Sequence, residues 1–362
     1  MVAPGHVIVA MSGGVDSSVA AALLVQQGYQ VTGMMLRLWN EPGTEANNRC
    51  CTPDAMAMAR RVSARLDIPF YVIDAREIFR QTVVEAFIQG YEQLITPNPC
   101  LVCNQHIRWG FLYQRARTIG ADYLATGHYA RSRRDENGTW QLLRALDSTK
   151  DQSYVLHGLD QEQLAHTLFP LGDYPKPKVR ELARQFNLPV AERPESQDLC
   201  FLGKDDYRQF LTRHASQVQL PGPVLNSNGE KIGEHAGLAF YTIGQRKGIR
   251  VASPTPLYVL EKDSARNALI VGPLEKLGAN ELIASSVHWV SGKVPASSFD
   301  ATIKIRYRSQ DAAGVVTPLP DQKVQVQFEN PLRDITPGQA AVFYNDQVCL
   351  GGGIIEPKRG LL

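Results

Sequence analysis

The stretch VIVAMSGGVDSSVAAALLVQQGY, residues 7–29, decides how the rest of the chain is read. An apolar run ending at Ala10 enters a loop containing Ser12, Gly13, Gly14 and Asp16, and the loop passes straight into an Ala-, Val- and Leu-rich segment ended by Gly28. That order predicts strand, loop, helix. In a parallel sheet such a loop leaves the C-terminal end of a strand and enters a helix N-terminus, where unbonded N–H groups and the positive end of the helix dipole meet. The junction is therefore an anion site. Gly13 and Gly14 let the backbone approach a ligand closely, and Ser12, Ser17 and Ser18 add hydroxyl donors. Asp16 is the odd member, because a carboxylate beside phosphate repels it unless a divalent cation lies between them or the carboxylate caps the helix. The G-x-x-x-x-G-K-[ST] pattern of Walker loops is not present here.

Outward from this stretch the alternation continues. Strands are predicted at His6 to Ala10, Val31 to Leu36, Phe70 to Ile73 and Tyr123 to Thr126, with helices at Ser18 to Gln27, Asp54 to Leu66, 77–95 and 104–118. This is the pattern of an α/β unit with a parallel sheet and helices on both faces. Near Pro194 the character changes, and after Gly222 short strands and tight turns take over, with Asn228-Gly229 a hairpin signal. Segments at His288 to Val290, Ala301 to Arg308, Val324 to Phe328 and Ala340 to Tyr344 suggest a last β unit, a barrel. The expected division is 1–205, 206–280 and 281–362.

Bulk composition narrows the class. The 362 residues are 44% hydrophobic and 20% charged, enough for real cores, and no apolar run approaches the ~20 residues of a membrane helix. With no targeting segment evident, the expected location is cytoplasmic, with no membrane partner. A net charge of +2 neither requires nor excludes nucleic acid, so any phosphate-binding surface must come from local clustering. Six cysteines are too few for a disulfide framework and are expected as thiols.

TPNPCLVCNQHIRWG, residues 96–110, places Cys100 and Cys103 just before a helix expected to begin near Asn104. A helix N-terminus stabilises a thiolate, which makes Cys103 a candidate nucleophile; half of a zinc site and a pair of inert thiols are the alternatives. Zinc would need two further ligands, and no second C-x-x-C appears, so no dedicated metal site is expected. Cys200 stands alone in RPESQDLCFLGKDDYRQF, residues 193–210. Cys50 and Cys51 are read as structural, and Cys349 as core. Gly127 and His128 follow a strand in DYLATGHYAR, where ligands line open α/β sheets. Lys150, Asp151 and Gln152 are a mixed polar turn. In ATIKIRYRS, residues 301–309, strand alternation would put Lys304, Arg306 and Arg308 on one face, a stripe suited to phosphates or to solubility alone.

Taken together these segments resemble the tRNA-specific 2-thiouridylases, the MnmA/TrmU family, within the PP-loop ATP pyrophosphatase superfamily. The loop Ser12 to Ser17 matches S-G-G-x-D-S, and the likeness extends through TPNPCLVCN, ATGHY, DSTKDQSY, SQDLCF, GQRKG, TPGQAAVFY and CLGGGI. The resemblance implies an adenine nucleotide alpha hydrolase-like, Rossmann-like domain followed by two small β-rich domains. It implies Cys103 as nucleophile and Cys200 as persulfide carrier. ATP and Mg²⁺ are implied, with the nucleotide at Ala10, Met11, Ser12, Gly13, Gly14, Val15, Asp16, Ser17, Leu36 and Gly127. The target base of tRNA is implied at Asn98, Pro99 and Cys100, and further tRNA contacts at His128, Lys150, Asp151, Gln152, Arg306, Tyr307 and Gln339. The implied reaction adenylates O2 of the wobble uridine in tRNAs for glutamate, glutamine and lysine. Sulfur then comes from a persulfide supplied by a donor such as a cysteine desulfurase or a sulfur-relay protein, either directly, leaving a Cys103–Cys200 disulfide, or as released hydrosulfide. Some members carry aspartate where Cys100 stands, so a general-base role is not carried over. An iron–sulfur cluster on Cys100, Cys103 and Cys200 is an alternative. Two other classes compete, an AMP-forming synthetase acting on a small molecule and a non-catalytic RNA- or metal-binding module.

Overall fold

In the computed structural model, which describes residues 4–41, 52–194, 199–202 and 206–357, the opening stretch forms the middle of the first sheet. β1 (His6–Ala10) lies between β2 (Gln30–Arg37) and β4 (Tyr123–Thr126), with β3 (Phe70–Asp74) outside β2 and the short strand Thr167–Leu168 outside β4. All four pairings are parallel. Val7, Ile8 and Val9 are fully buried because both faces of a central parallel strand are covered. Val7 and Val9 pack with Val19 and Leu23 of α1 (Val15–Gln26) and Val62 of α2 (Pro53–Arg65), while Ile8 faces Trp109 and Leu112 on the opposite side. Helices thus cover both faces, as the period-2 alternation of β1 demands. The order reverses at β1, so its C-terminal end is the switch point at which ligands of open α/β sheets bind.

Two β-rich units follow. A four-stranded sheet runs in the order Tyr258–Asp263, Ala268–Gly272, Gly222–Leu225, Lys231–His235. The hairpin signalled by Asn228-Gly229 forms between Gly222–Leu225 and Lys231–His235. Asn226 Oδ1 accepts the N–H groups of Asn228 and Glu230, and of the pair at the tip only Gly229 takes a positive φ, +87°. The last unit is a closed six-stranded barrel in the order Ala279–Trp289, Lys323–Leu332, Ala312–Leu319, Phe299–Lys304, Ala340–Asn345, Val348–Ile355, with first and last strands paired. The α/β unit lends it a hairpin, Arg131–Arg134 with Trp140–Leu143, through Cys349 opposite Leu142. No helix of the described residues is long and apolar enough to cross a membrane.

The expected basic stripe is not formed. The strand ends at Lys304, and Arg306 to Ser309 close a turn in which Ser309 N–H donates to Arg306 O at 3.1 Å. Side chains 304, 306 and 308 therefore do not share one sheet face.

Candidate active site

At the exit of β1 the ladder continues one residue, Met11 N–H donating to Met34 O at 2.7 Å, before the chain turns. Gly13 has φ +72°, and a Cβ there would lie 2.2 Å from Ala55 O, so only glycine fits under the start of α2. Gly14 is the N-cap of α1 and offers no side-chain oxygen, which leaves the first N–H groups of the helix for a ligand. Ser17 Oγ accepts the Ser12 N–H at 3.1 Å and lies 3.3 Å from Ser12 Oγ, tying the two ends of the loop together. Gly127, past β4, presses on the same turn, since a Cβ there would be 2.6 Å from Ser17 N. Ala10 to Ser17 and Gly127 are thus brought together, and Leu36 stands one strand over near the end of β2.

Asp16 is answered from within the chain, by an ammonium group and a phenol. Lys176 Nζ lies 2.6 Å from Asp16 Oδ1, and Tyr129 OH donates to the same oxygen at 2.8 Å. Lys176 opens the helix Lys176–Gln185 after Pro175 and is only 7% exposed. A cation at the positive end of a helix is disfavoured, so its burial there is compensated by Asp16. Sequence reading missed Lys176 and Tyr129; the available signal was a lysine between two prolines at a helix start. Among the described residues no group of three or more His, Cys, Asp and Glu side chains could hold a metal ion. A magnesium ion would therefore fit this site only with nucleotide phosphates supplying most of its oxygens, Asp16 being the loop's one carboxylate.

The cysteine loop differs from expectation at its helix. Asn98 Oδ1 accepts the Cys100 N–H at 3.1 Å and Pro99 takes the first helical position, so the helix starts at Pro99–Val102 and runs on through Cys103–Leu112 and Tyr113–Thr118. The exposed Cys100 occupies its first turn, and Cys103 lies one turn further in, where the dipole acts on it less. From Cys103 to Leu112 the helix is wound with i→i+5 bonds, a geometry found at functional sites. Cys103 and Cys200, both half-buried, pack against one apolar cluster with Leu36, around Phe87, Phe201 and Phe210. The two thiols therefore border the same cluster although 97 positions separate them. Among the described residues the cysteines form no disulfide, and Cys100, Cys103 and Cys200 are not gathered into one group of three metal donors. Cys349 is core, its thiol pKa pushed up by burial. Cys50 and Cys51 lie outside the described residues.

The loop leading to these thiols is held from all three units. Thr96 N–H donates to Pro337 O at 2.8 Å, Gln339 Nε2 donates to Thr96 O at 2.8 Å, and Thr96 Oγ1 lies 3.4 Å from Thr242 Oγ1. Arg306 Nη2 donates to Ile243 O at 3.2 Å and to Thr336 Oγ1. Tyr154 OH exchanges hydrogen bonds with Ala340 O and N, each 3.1 Å, and is also bonded by Asn98. Tyr307 packs near the Tyr154 ring, 6.4 Å between centroids. Gln339 thus fastens the loop that starts at Thr96, and Arg306 ties the central unit to the barrel beside it.

The remaining polar candidates are largely committed within the fold. His128 is buried; Arg108 Nη1 donates to its Nε2 at 3.0 Å, and Thr126 Oγ1 is 2.8 Å from its Nδ1. Burial first, and then the Arg108 charge, hold its pKa well below the usual imidazole range, so it is neutral. Asp151 is 4% exposed and accepts the N–H groups of Ala145 and Ser153 and the Ser153 hydroxyl. Gln152 Oε1 accepts the Tyr129 N–H at 3.0 Å. Lys150 is half-buried in the turn beside them.

A glycine-rich loop at the switch point of a parallel sheet, with two β-rich units behind it, defines a Rossmann-like protein of the PP-loop class. Family models match in chain order: the tRNA methyl transferase HUP domain over residues 5–204, the tRNA methyl transferase PRC-barrel domain over 208–273 and the aminomethyltransferase beta-barrel domain over 279–355. The tRNA-specific 2-thiouridylase MnmA of Chloroflexus aggregans is 48% identical over 98% of this chain and 99% of its own length, and that of Moorella thermoacetica 47% identical over 96% and 99%. The chain belongs to the tRNA-specific 2-thiouridylase MnmA family. Among solved structures, the U34-tRNA thiolase NcsA of Methanococcus maripaludis is a distant likeness, with 18% identity, TM-score 0.36, and 59% of this chain and 66% of that one covered.

Proposed function

We propose that this protein thiolates the wobble uridine of tRNA at C2, using ATP to activate the oxygen it replaces. The observation that carries the reading is the packing of Cys103, Cys200 and Leu36 against one apolar cluster, Leu36 lying two residues beyond Met34, the partner of Ala10 at the end of β1. A carbonyl oxygen is a poor leaving group. In this reading the uridine O2 attacks the α-phosphorus of ATP and pyrophosphate leaves over Ser12 to Ser17, whose N–H groups and hydroxyls stabilise its charge. Lys176 neutralises Asp16 beneath those phosphates, and bound Mg²⁺ would supply further charge neutralisation. The base, held out of its stack, lies between Asn98 to Cys103 and the nucleotide.

A persulfide on Cys200 then provides sulfur to C2, and AMP departs with the former O2. In one route the terminal sulfur attacks C2 and the Cys103 thiolate attacks Cys200 Sγ, releasing 2-thiouridine and closing a disulfide; in the other Cys103 first displaces hydrosulfide, which attacks. Donor proteins that carry persulfides, and tRNAs for glutamate, glutamine and lysine, are the partners this reading takes, in the cytoplasm. The division of labour assigned is catalysis in 1–205 and RNA binding in the barrel 281–362, with the small β-rich unit 206–280 between them.

Mass analysis of tRNA nucleosides after incubation with ATP, Mg²⁺ and a persulfide source tests the proposal. Wild type should yield 2-thiouridine, and Cys200→Ser should release pyrophosphate but make less than a thousandth as much thiolated base. A synthetase of small molecules would leave tRNA unmodified, and an RNA-binding module would consume no ATP.

A further inference from the structure

The GQRKG segment was singled out in the sequence, and neither the nucleotide loop nor the cysteines account for it. It begins directly after Thr242 and Ile243, the central-unit residues that touch Thr96 and hold Arg306. From that junction residues 244–250 lead along the helix Tyr207–His214, and between them lies a cavity of about 620 Å³ lined by Arg208, Thr212, Arg213 and Arg250. Arg246 and Lys247 stand exposed on the same loop. Among the described residues Arg246, Lys247 and Arg250 enter no ion pair, whereas Arg213 is bound to Glu41 and the one lining acid, Glu234, to Lys231. Residues 206–250 hold six Lys and Arg against three Asp and Glu, more net positive charge than the whole chain carries.

The loop is built to keep these cations in place. Gln245 Nε2 donates to Lys247 O at 2.8 Å. Gly248 has φ +82°, and a Cβ there would sit 3.5 Å from Arg208 Nη1, so the guanidinium lies directly beneath the backbone. The Arg208 guanidinium is steadied near the Tyr207 and Tyr241 rings, 5.7 and 6.0 Å from their centroids. Guanidinium groups lining a concave surface, with further exposed cations on the adjoining loop, suit phosphodiester oxygens, which they meet with charge-assisted bonds.

We propose that this cleft binds tRNA backbone phosphates leading away from the target base, so that the central unit adds grip on RNA rather than chemistry. Continuity points to that occupant: Tyr241 of the cleft wall directly precedes Thr242, which touches Thr96, so the cleft adjoins the loop proposed to take the target base. The inference rests on the proposed tRNA substrate. It is tested by measuring affinity of full-length tRNA for the whole protein at several salt concentrations, with Arg250→Gln and the Arg246→Gln/Lys247→Gln pair. Each lost phosphate contact should weaken binding roughly three- to tenfold and lower the slope of log K against log[salt] by about 1, with the KM for ATP unchanged. Unaltered affinity and slope in both variants, with wild type binding tRNA, would overturn the cleft assignment and leave the thiolation reading intact. Failure of wild type to bind tRNA would instead strike the thiolation reading. Normal tRNA binding with thiolation lost only when a protein supplies the sulfur would also overturn it, by making this face a donor-docking surface.

Discussion

The nucleotide loop Ser12 to Ser17 and the target-base loop Thr96 to Cys100 serve the same proposed reaction, yet they are constructed differently. The first is held mainly by its own hydroxyls, by α2 and by Gly127, all within one sheet and its helices. The second is fastened by Thr242, Pro337 and Gln339, the last 243 positions away. A rigid anion site is compatible with purely local encoding, because backbone N–H groups and glycines suffice. In the proposed reaction, placing a base against a thiol needs registration with whatever grips the RNA, and the hydrogen bonds from both β-rich units to Thr96 would serve that need.

Gly13→Ala should break the first loop most severely. The left-handed backbone and the 2.2 Å approach to Ala55 O leave no room for a methyl, so ATP-dependent pyrophosphate release is expected to fall about a hundredfold or more. Circular dichroism would separate loss of the site from loss of the fold. Lys176→Met removes the partner of Asp16 and leaves a carboxylate facing phosphate; the KM for ATP should rise about tenfold, with tRNA affinity unchanged, as steady-state kinetics would show. Gln339→Ala tests the second loop. Losing one hydrogen bond worth about 1 kcal/mol should lower thiolation roughly fivefold while pyrophosphate release driven by the first loop is preserved.

The last effect, one on stability and not on turnover, concerns acid. His128 is neutral between the sheet and the cysteine helix, and His157 is held near the barrel with its pKa lowered to about 4, chiefly by burial. An unfolded histidine titrates near 6.5, so below that pH the unfolded chain takes up protons that the folded one refuses. Stability should be level with respect to these groups above pH 6.5 and decline as pH falls toward 4. Thermal melts at half-unit intervals should show a shallower decline for His157→Gln.

What could be read in the sequence follows the same contrast. β1, β4, α2 and the loop were legible because strand alternation, helix periodicity and glycine positions are local signals. The helix start at Pro99 is written in Asn98-Pro99 as cap and first helical residue, five positions before the start expected near Asn104. Arg306 was placed on a strand because the alternation of residues 301–309 is regular, whereas Ser309 closes a turn there. Lys176, Gln339 and Thr242 act through partners from 146 to 243 positions away, and no periodicity encodes such contacts. Asp151 and Gln152 look like a solvated turn in sequence, and only burial shows that their hydrogen bonds are internal.

The most direct test of the account follows one oxygen atom. With tRNA carrying ¹⁸O at the wobble uridine O2, supplied with ATP, Mg²⁺ and a persulfide source, each 2-thiouridine formed should be matched by one AMP bearing the label. Thiolated tRNA accompanied by unlabelled AMP would contradict it, because activation and sulfur delivery would then not meet at the same carbonyl.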